Sequence, residues 1–249
     1  MAGFERFVAL LRLYDEAHPA WTVQEMSEAL DVPASTIYRT VRDLADGGFL
    51  EPALEARYRL GPAFVEYDRL IRLTDPLVQA GRPVLRDVVA EARVPAVGLL
   101  SRLYTGRVMC IADEAGGNPG FRPSYERGRP MPLIRGATSK VILGALPWRR
   151  VQKLFEPGTE VPSDLRDTLA AIRKRGYGVS RGEIDAGLVG MAVPVVVPEL
   201  DLYASLSLVA AGADVDEATE RRLILLLVAA AGLLADALGA GAARAMNEN

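Results

Sequence analysis

Apolar residues recur at helical spacing in the first fifty positions and predict three short helices. The first is an amphipathic helix whose pattern runs from Phe4 to Tyr14. Thr22 and Glu25 are spaced as a capping box, which begins a second helix. The third is expected over residues 34–46, where two glycines follow and allow a left-handed cap.

Two short strands follow these helices. Residues 49–51 and 57–60 have strand character and flank a turn that contains Pro52. Helix, helix, tight turn, helix and β-hairpin is the order typical of a winged helix-turn-helix. We therefore expect a DNA-binding domain over residues 1–60. Residues 61–75 keep helical periodicity after Gly61-Pro62 and predict a linker helix.

The remaining pattern, over residues 76–249, alternates helices with pairs of strands. Helices are expected over residues 77–91, 138–146, 149–155 and 163–175, with a long one from about residue 216. Strands are expected over residues 96–104, 107–112, 189–197 and 202–210. Consecutive hairpins with helices between them favour a mainly antiparallel sheet covered by helices, so the predicted fold class is α+β.

The longest apolar run is Leu223–Ala235, thirteen residues that end at Asp236. A membrane-spanning helix needs about twenty apolar residues. The run therefore predicts a buried core helix. The first helix carries charges within its apolar pattern, which excludes a signal peptide, and we expect a cytoplasmic protein.

The numbers of cysteines and histidines limit the kinds of site that the chain can form. The chain has one cysteine (Cys110) and one histidine (His18), too few for an intrachain disulfide or for a zinc site of Cys and His ligands. Glu183 and Asp185 are the carboxylates considered for catalysis, but no second base or metal set accompanies them. We expect no catalytic residues, no metal and no cofactor.

The third helix carries the clearest functional pattern. Ile37, Val41 and Leu44 share an apolar stripe, and Arg39 and Arg42 lie on the opposite side. Hydroxyls and guanidiniums there suit phosphate oxygens and major-groove base edges, although an ordinary solvated face has the same composition. The candidate DNA contacts on this helix are Ser35, Thr36, Tyr38, Arg39, Thr40 and Arg42.

The hairpin supplies two more candidates. Arg57 and Arg59 alternate with Tyr58, so both point to one side of their strand. They are candidate wing contacts to DNA, and the alternative is that they only aid solubility. Residues 1–72 carry eight arginines, no lysine and twelve acidic residues, a net charge of −4. Because DNA-binding modules are usually basic, we expect useful affinity only from a dimer on two half-sites.

Three stretches together resemble the IclR family of bacterial transcription regulators. They are Val32–Leu44, Gly128–Lys140 and Ile172–Glu183, the last followed by Met191-Ala-Val-Pro194. The resemblance implies an N-terminal winged helix, a linker helix and a C-terminal effector-binding domain with a GAF-like fold over residues 76–249. It also implies homodimers or dimers of dimers, and small organic acids or aromatic catabolites as effectors. Ser139 and Ile134-Arg135 depart from the family pattern near the expected pocket, so the effector need not be the usual one.

The resemblance also implies a set of effector-binding positions. The start of the helix near residue 138 offers free N–H groups and a dipole that favour an anion, although plain N-capping explains Thr138 and Ser139 equally. Ser205 and Ser207 lie two apart in a strand and share a face, and burial with backbone hydrogen bonds is the alternative for them. The full set is Ala137, Thr138, Ser139, Arg181, Gly190, Ser205 and Ser207.

These observations lead to one functional hypothesis and two alternatives. The hypothesis is a transcriptional regulator that binds double-stranded DNA at a pseudo-palindromic operator and responds to a small organic acid or aromatic metabolite, with repression favoured over activation. One alternative is a small-molecule enzyme whose winged helix serves oligomerisation or protein contacts. The other is a regulator without an effector, which binds its operator constitutively.

Overall fold

The structure is a computed structural model that describes residues 3–155 and 161–247, with side chains described as far as Gly241. It divides into two compact units, residues 1–74 and 75–249. The first unit contains, in order, α1 (Gly3–Leu11), β1 (Ala20–Thr22), α2 (Val23–Leu30), α3 (Ala34–Asp46), β2 (Leu50–Pro52), β3 (Arg57–Leu60) and α4 (Ala63–Thr74).

The predicted capping box shapes the helix-turn-helix. The Glu25 N–H donates to the Thr22 hydroxyl at 3.2 Å, and the Thr22 N–H donates to the Glu25 carboxylate at 2.7 Å. α2 ends at Asp31 in a left-handed conformation, and α3 begins directly after Pro33. The core of the unit lies between these helices and the hairpin and consists of Leu10, Met26, Ile37, Val41, Leu44 and Leu50.

The small sheet has three strands rather than the two expected. β1 pairs antiparallel with β3, which also pairs with β2, so the strand order is β1-β3-β2. The sequence pattern did not reveal β1, because a three-residue strand is too short to show periodicity and only its partner defines it.

The second unit contains, in order, α5 (Pro76–Glu91), β4 (Ala96–Tyr104), β5 (Arg107–Gly116), β6 (Pro130–Met131), α6 (Gly136–Ala145), α7 (Trp148–Gln152), α8 (Leu165–Arg175), β7 (Gly178–Arg181), β8 (Leu188–Val197), β9 (Leu202–Ala211) and α9 (Glu217–Asn247). The expected hairpin β4–β5 and the strand pair β8–β9 are present. β7 was not predicted. The expected helix over residues 149–155 is shorter, and it begins at Trp148.

A six-stranded antiparallel sheet of order β6-β5-β4-β9-β8-β7 organises this unit. Leu206 and Leu208 of β9 point to one face and join the main core with α5 and α9. Ser205 and Ser207 point to the opposite face, which α6 covers. The fold class is α+β, as predicted.

The apolar run near the C-terminus is only partly a core helix. Leu223, Leu227 and Leu234 are buried, as expected, but Leu225 and Leu233 are each 70% exposed. By length and composition, the part of α9 from Glu217 to Gly241 could cross a membrane. An 18-residue window within it has a mean hydropathy of 2.3, and 39% of that window is buried. One side of α9 packs into the main core of this unit, so the helix is covered on a single side.

Candidate functional site: a nucleic-acid interface and a ligand pocket

α3 presents a continuous polar face away from its core. Ile37, Val41 and Leu44 are buried, whereas Ser35, Tyr38, Arg39 and Arg42 are exposed. Arg42 reaches Asp46 at 3.8 Å, an exposed pair of small energetic value. Arg39 forms no hydrogen bond or ion pair with the residues that the structure describes. The face thus offers an unpaired guanidinium and a phenol, both suited to phosphates and base edges.

Two threonines of the predicted set differ from the rest. Thr40 is 1% exposed, so its assignment as a DNA contact is wrong. Its hydroxyl donates to the Thr36 carbonyl and accepts from Arg6 Nε of α1 at 2.9 Å. Thr40 therefore links α1 to α3. Thr36 is half-buried at the edge of the polar face.

Arg57 likewise contacts residues of its own chain. Its guanidinium donates to both carboxylate oxygens of Glu25 at 2.9 Å and to the Ala20 carbonyl at 3.1 Å. The Thr22 N–H and then Arg57 hold the pKa of the Glu25 carboxyl below its ordinary value. A guanidinium held by a bidentate pair has few donors left for DNA, so the expected wing contact at Arg57 does not fit the structure. Its role is to tie β3 to the cap of α2.

Arg59 is exposed, as a wing contact to DNA requires. Its side chain is 61% exposed, and its Nε donates to Glu51 of the neighbouring strand at 2.7 Å. The tip of the hairpin between β2 and β3 carries Leu54, which is 87% exposed, and Glu55. Arg59 is therefore the wing residue that remains available for phosphate.

The second unit holds a small pocket at the start of α6. It has a free volume of about 30 Å³, room for about two water molecules. Ala137, Thr138 and Gly190 of the predicted effector set lie in its wall. The remaining lining residues are Tyr125, Ser180, Gly182, Glu183, Ile184, Asp185, Leu188 and Val209.

The other four predicted effector residues lie outside this wall. Ser139 is buried and forms a 3.0 Å hydrogen bond with the Tyr125 phenol. Arg181 is exposed and pairs with Glu220 of α9. Ser207 accepts a hydrogen bond from Thr138 at 3.1 Å, and Ser205 is fully buried and lies opposite Ser101 in the sheet. Ser139, Ser205 and Ser207 are thus buried in the interior beside the pocket, whereas Arg181 points to the surface.

The N-terminus of α6 already holds a carboxylate from its own chain. The Gly136 N–H donates to Glu183 Oε2 at 2.9 Å, and Lys140 Nζ donates to both Glu183 oxygens at 2.8 and 2.7 Å. Burial by itself would raise the pKa of the Glu183 carboxyl, but the hydrogen bonds from Lys140 and Gly136 outweigh it and hold the pKa below its ordinary value. The Ala137 N–H donates to Ser180 Oγ. The first two N–H groups of α6, those of Gly136 and Ala137, are thus satisfied within the chain.

Two further contacts close the pocket. Asp185 accepts from the Ser124 N–H at 2.9 Å and from the Ser124 hydroxyl at 2.5 Å. Tyr125 is 4% exposed, and burial raises the pKa of its phenol to about 12, so the hydroxyl stays neutral. Gly136 has a positive φ of 78°, and a Cβ there would lie 3.0 Å from the Tyr125 oxygen, so glycine is needed for this approach.

A larger cavity of about 350 Å³ also has Tyr125 in its wall. Its wall includes Val97 and Phe121 together with the charged side chains Arg122 and Glu126, which pair at 2.6 Å. Tyr125 lines both cavities.

Cys110 lies on the pocket side of the sheet but outside both walls. Its Sγ donates to the Ala112 carbonyl, and burial raises the pKa of the thiol to about 12. The side chain is therefore a packed thiol of the interior.

The sequence interpretation missed Tyr125, Ile184, Leu188 and Val209 as pocket residues. Tyr125 stands in a glycine- and proline-rich loop without periodicity, and no local signal relates it to α6. Glu183 and Asp185 were considered only as catalytic carboxylates. Glu183 and Asp185 lie between Gly182 and Gly187, and two glycines around carboxylates in the sequence indicate a tight polar loop. Both glycines have positive φ in the structure.

Comparison with known proteins agrees with both units. Residues 4–53 match the model of the IclR helix-turn-helix domain, and residues 76–235 match that of the bacterial transcriptional regulator IclR C-terminal domain. The chain is 26% identical over 210 residues to the HTH-type transcriptional regulator KipR of Bacillus subtilis, covering 81% of this chain and 82% of that one. It is 25% identical over 225 residues to XynR of Escherichia coli, covering 86% and 88%.

Solved structures show the same fold. An IclR transcriptional regulator from Silicibacter sp. superposes with a TM-score of 0.81 at 20% identity, covering 95% of this chain and 96% of that one. An IclR homologue from Microbacterium hydrocarbonoxydans, complexed with 4-hydroxybenzoate, superposes with a TM-score of 0.74 at 24% identity, covering 95% and 99%. These matched families are regulators and not enzymes, which sets the enzymatic alternative aside. The chain belongs to the IclR family and is a DNA-binding transcriptional regulator with an effector-binding domain.

Proposed function

We propose that this regulator acts in the cytoplasm as a ligand-responsive repressor that binds a pseudo-palindromic operator as a twofold-related pair. The observation that carries the proposal is the outward face of α3, where Arg39 is free and Tyr38 is 58% exposed while the apolar stripe is buried. We assign base and phosphate contacts to Ser35, Tyr38, Arg39 and Arg42, with Arg59 as the wing contact.

Pairing is supported by the helix that follows the wing. Phe64 and Tyr67 of α4 pack against Phe49, yet they stay 38% and 49% exposed. Val65 and Leu73 are 69% and 55% exposed on the same helix. An apolar surface of this kind on a linker helix suits contact with a second copy, which would present two α3 helices to successive major grooves.

The effector site is the pocket at the start of α6, with Ala137, Thr138 and Gly190 in its wall. We propose that a small carboxylate, aromatic or aliphatic, takes the position of the Glu183 side chain at the Gly136 N–H. A site with room for about two waters cannot admit such a molecule unless the segment between Gly182 and Gly187 moves. The 4-hydroxybenzoate bound by the Microbacterium homologue is an acid of this class.

One experiment tests the DNA-binding half of the proposal. Selection from a pool of random duplexes with the full chain should yield a pseudo-palindromic sequence. Arg39→Ala and Arg42→Ala should each weaken binding to that sequence by about 1–3 kcal/mol. Unchanged affinity in both variants, measured by fluorescence anisotropy at one salt concentration, would refute the assignment.

A second experiment tests the effector half. A thermal-shift screen of 4-hydroxybenzoate, benzoate and short 2-oxo acids should give at least one stabilising acid, since a ligand that binds the folded state raises the melting temperature. The same acid should change operator affinity, because ligand and DNA binding are linked through one population shift. A stabilising acid that leaves operator affinity unchanged contradicts the regulatory role.

The closed pocket also favours a second candidate, a constitutive DNA binder. Glu183 and Ser180 accept from the Gly136 and Ala137 N–H groups, and together with Tyr125 they line the small space where an effector would lie. In that case the selected duplex binds with the same affinity in the presence of every acid, and Glu183→Ala does not create a ligand response.

A further inference from the structure

Arg6 is a charged residue on the inner side of the amphipathic helix α1. At 100° per residue it lies about 40° from Leu10, the buried residue of that helix. Its Nε donates to the Thr40 hydroxyl of α3 at 2.9 Å, and its side chain is half-buried. Because arginine is mostly exposed in proteins, a guanidinium turned toward a neighbouring helix indicates a polar role rather than apolar packing.

The hydrogen bond to Thr40 orients the guanidinium and is not needed to satisfy the threonine. The Thr40 hydroxyl also donates to the Thr36 carbonyl at 3.1 Å, the usual bond of a threonine within a helix. The buried hydroxyl would therefore have a partner without Arg6. Arg6, in contrast, is restricted by this bond to one position beside α3.

Most of the donors of Arg6 remain available. A guanidinium has five N–H donors, and Thr40 accepts from the one at Nε. The two Nη groups form no hydrogen bond or ion pair with any residue that the structure describes. Asp43, an exposed acidic residue one turn after Thr40, does not pair with them. The free Nη groups suit the two oxygens of a phosphate, which a guanidinium can bind with parallel hydrogen bonds.

The flank of α3 that carries Arg6 lies beside the DNA backbone in the proposed complex. Ser35 and Arg39 are at the centre of the exposed face, whereas Thr36 and Thr40 follow each other along one flank. The major groove is about 12 Å wide, and a helix with its side chains is about 10–12 Å across. Both flanks of a helix in the groove therefore lie close to phosphates.

The charge balance of this unit leaves few cations for the backbone. Residues 1–72 carry a net charge of −4. Arg57 is paired with Glu25, and Arg59 is paired with Glu51. A fixed guanidinium beside α3 thus supplies positive charge where the hairpin supplies little.

We propose that Arg6, held by Thr40, binds one phosphate of the DNA backbone at the edge of the major groove that α3 enters. The contact sets the position of α3 in the groove, because Arg6 is bonded to the residue that follows Arg39. Thr40 is a positioning residue and touches no DNA. The inference rests on the DNA-binding function proposed above and extends that interface from α3 to α1.

The first test counts ionic contacts. Fluorescence anisotropy measures binding of the full chain to its selected duplex at several salt concentrations. Arg6→Ala should lower the affinity about tenfold or more, and it should lower the slope of log affinity against log salt concentration by about one for each Arg6 in contact. Arg12→Ala is the matched control, since Arg12 is an exposed arginine directly after the same helix. It should leave both quantities unchanged.

Arg6→Gln separates the phosphate contact from the link between the helices. The glutamine amide nitrogen stands where Arg6 has its Nε, so it can donate to Thr40 without a charge. The melting temperature followed by circular dichroism should stay at the wild-type value, while the salt slope should fall as far as in Arg6→Ala. Wild-type affinity and slope in Arg6→Gln would show that Arg6 only joins α1 to α3, and would overturn the inference.

A double-variant cycle tests the positioning role of Thr40. Thr40→Val removes the hydroxyl at nearly constant volume and keeps the charge of Arg6. It should lower DNA affinity about threefold or more, and Arg6→Ala should then have a smaller effect than in the wild type. Independent effects of the two substitutions would contradict the positioning role.

Neutral methylphosphonate groups, placed at one phosphate of each half-site at a time, locate the contact. At one position the replacement should weaken binding of the wild type about tenfold and leave binding of Arg6→Ala unchanged. If no position behaves in this way, the inference is wrong. A chain that selects no duplex overturns it together with the proposed function. A duplex whose binding Arg39→Ala weakens and Arg6→Ala does not overturns this inference alone.

Discussion

Polar side chains on the outward face of α3 extend into solvent, whereas polar groups at the start of α6 are paired with one another within the chain. On α3 the guanidinium of Arg39 and the phenol of Tyr38 extend into solvent without partners among the described residues. At α6 the Glu183 carboxylate, Lys140 and the Gly136 N–H satisfy one another within the chain. The proposed DNA surface needs no rearrangement to bind, whereas the proposed effector site has internal contacts that a ligand must first replace. On this proposal, recognition of DNA is preformed and recognition of an effector is coupled to a local conformational change.

The largest expected difference between the two regions is in the loss of stability when one tyrosine of each region is replaced by alanine. Tyr125→Ala removes a buried ring and its hydrogen bond to Ser139, so it should lower the free energy of unfolding by about 3–5 kcal/mol. Tyr38→Ala removes an exposed ring and should change it by less than about 0.5 kcal/mol. Urea unfolding of the full chain measures both. Equal losses of stability would show that the two regions do not differ as described.

The next effect concerns DNA affinity without stability. The double variant Arg39→Ala/Arg42→Ala should lose about 2–6 kcal/mol of binding to the selected operator, if the two contacts are additive, while its melting temperature stays within about 2 °C of the wild type. Arg86→Ala, an exposed arginine of α5, is the control. A large fall in melting temperature would show that the face of α3 supports the fold rather than DNA.

Glu183→Gln tests whether the internally paired charge at the start of α6 stabilises the fold. The variant loses a charge-assisted contact with Lys140 and should be less stable by about 2 kcal/mol at pH 7. Because the pKa of Glu183 is lowered in the folded state, the carboxylate contributes stability above its ordinary pKa of 4.5, and that contribution disappears as pH falls through the folded value. The difference between wild type and Glu183→Gln should therefore shrink in acid. A difference that stays constant between pH 7 and pH 3 would contradict the role of the charge.

The smallest effect is expected at the wing. Arg59→Ala removes an exposed pair with Glu51 and should cost less than about 1 kcal/mol of stability. If Arg59 contacts a phosphate, the slope of the logarithm of operator affinity against the logarithm of salt concentration should fall by about one. An unchanged slope would remove Arg59 from the interface.

The sequence predicted those elements whose signal is local. α3 spans Ala34–Asp46 as the apolar stripe and the two following glycines indicated, and the Thr22–Glu25 capping box begins α2. The β4–β5 hairpin also follows from alternation and a turn. In each case the information lies within about fifteen consecutive residues, the range over which periodicity is visible.

The errors involve partners distant in sequence. The alternation around Tyr58 placed Arg57 and Arg59 on one side of a strand, but nothing local indicates that Glu25 holds Arg57 across 32 positions. The helical periodicity of α3 made Thr40 a candidate DNA contact, but Thr40 is buried and hydrogen-bonded to Arg6 of α1, 34 positions away in sequence. The pocket combines residues 125, 137 and 183 from three separate segments, and only the tertiary fold brings them together.

The most direct test of the central claim is photocross-linking from position 38 of α3. A photoreactive phenylalanine in place of Tyr38 replaces an exposed ring without disturbing the core. The account predicts cross-links to the selected duplex at two positions related by the symmetry of its half-sites, and none when the same residue replaces the half-buried Tyr58. Cross-links from position 38 that reach only protein peptides would contradict the account.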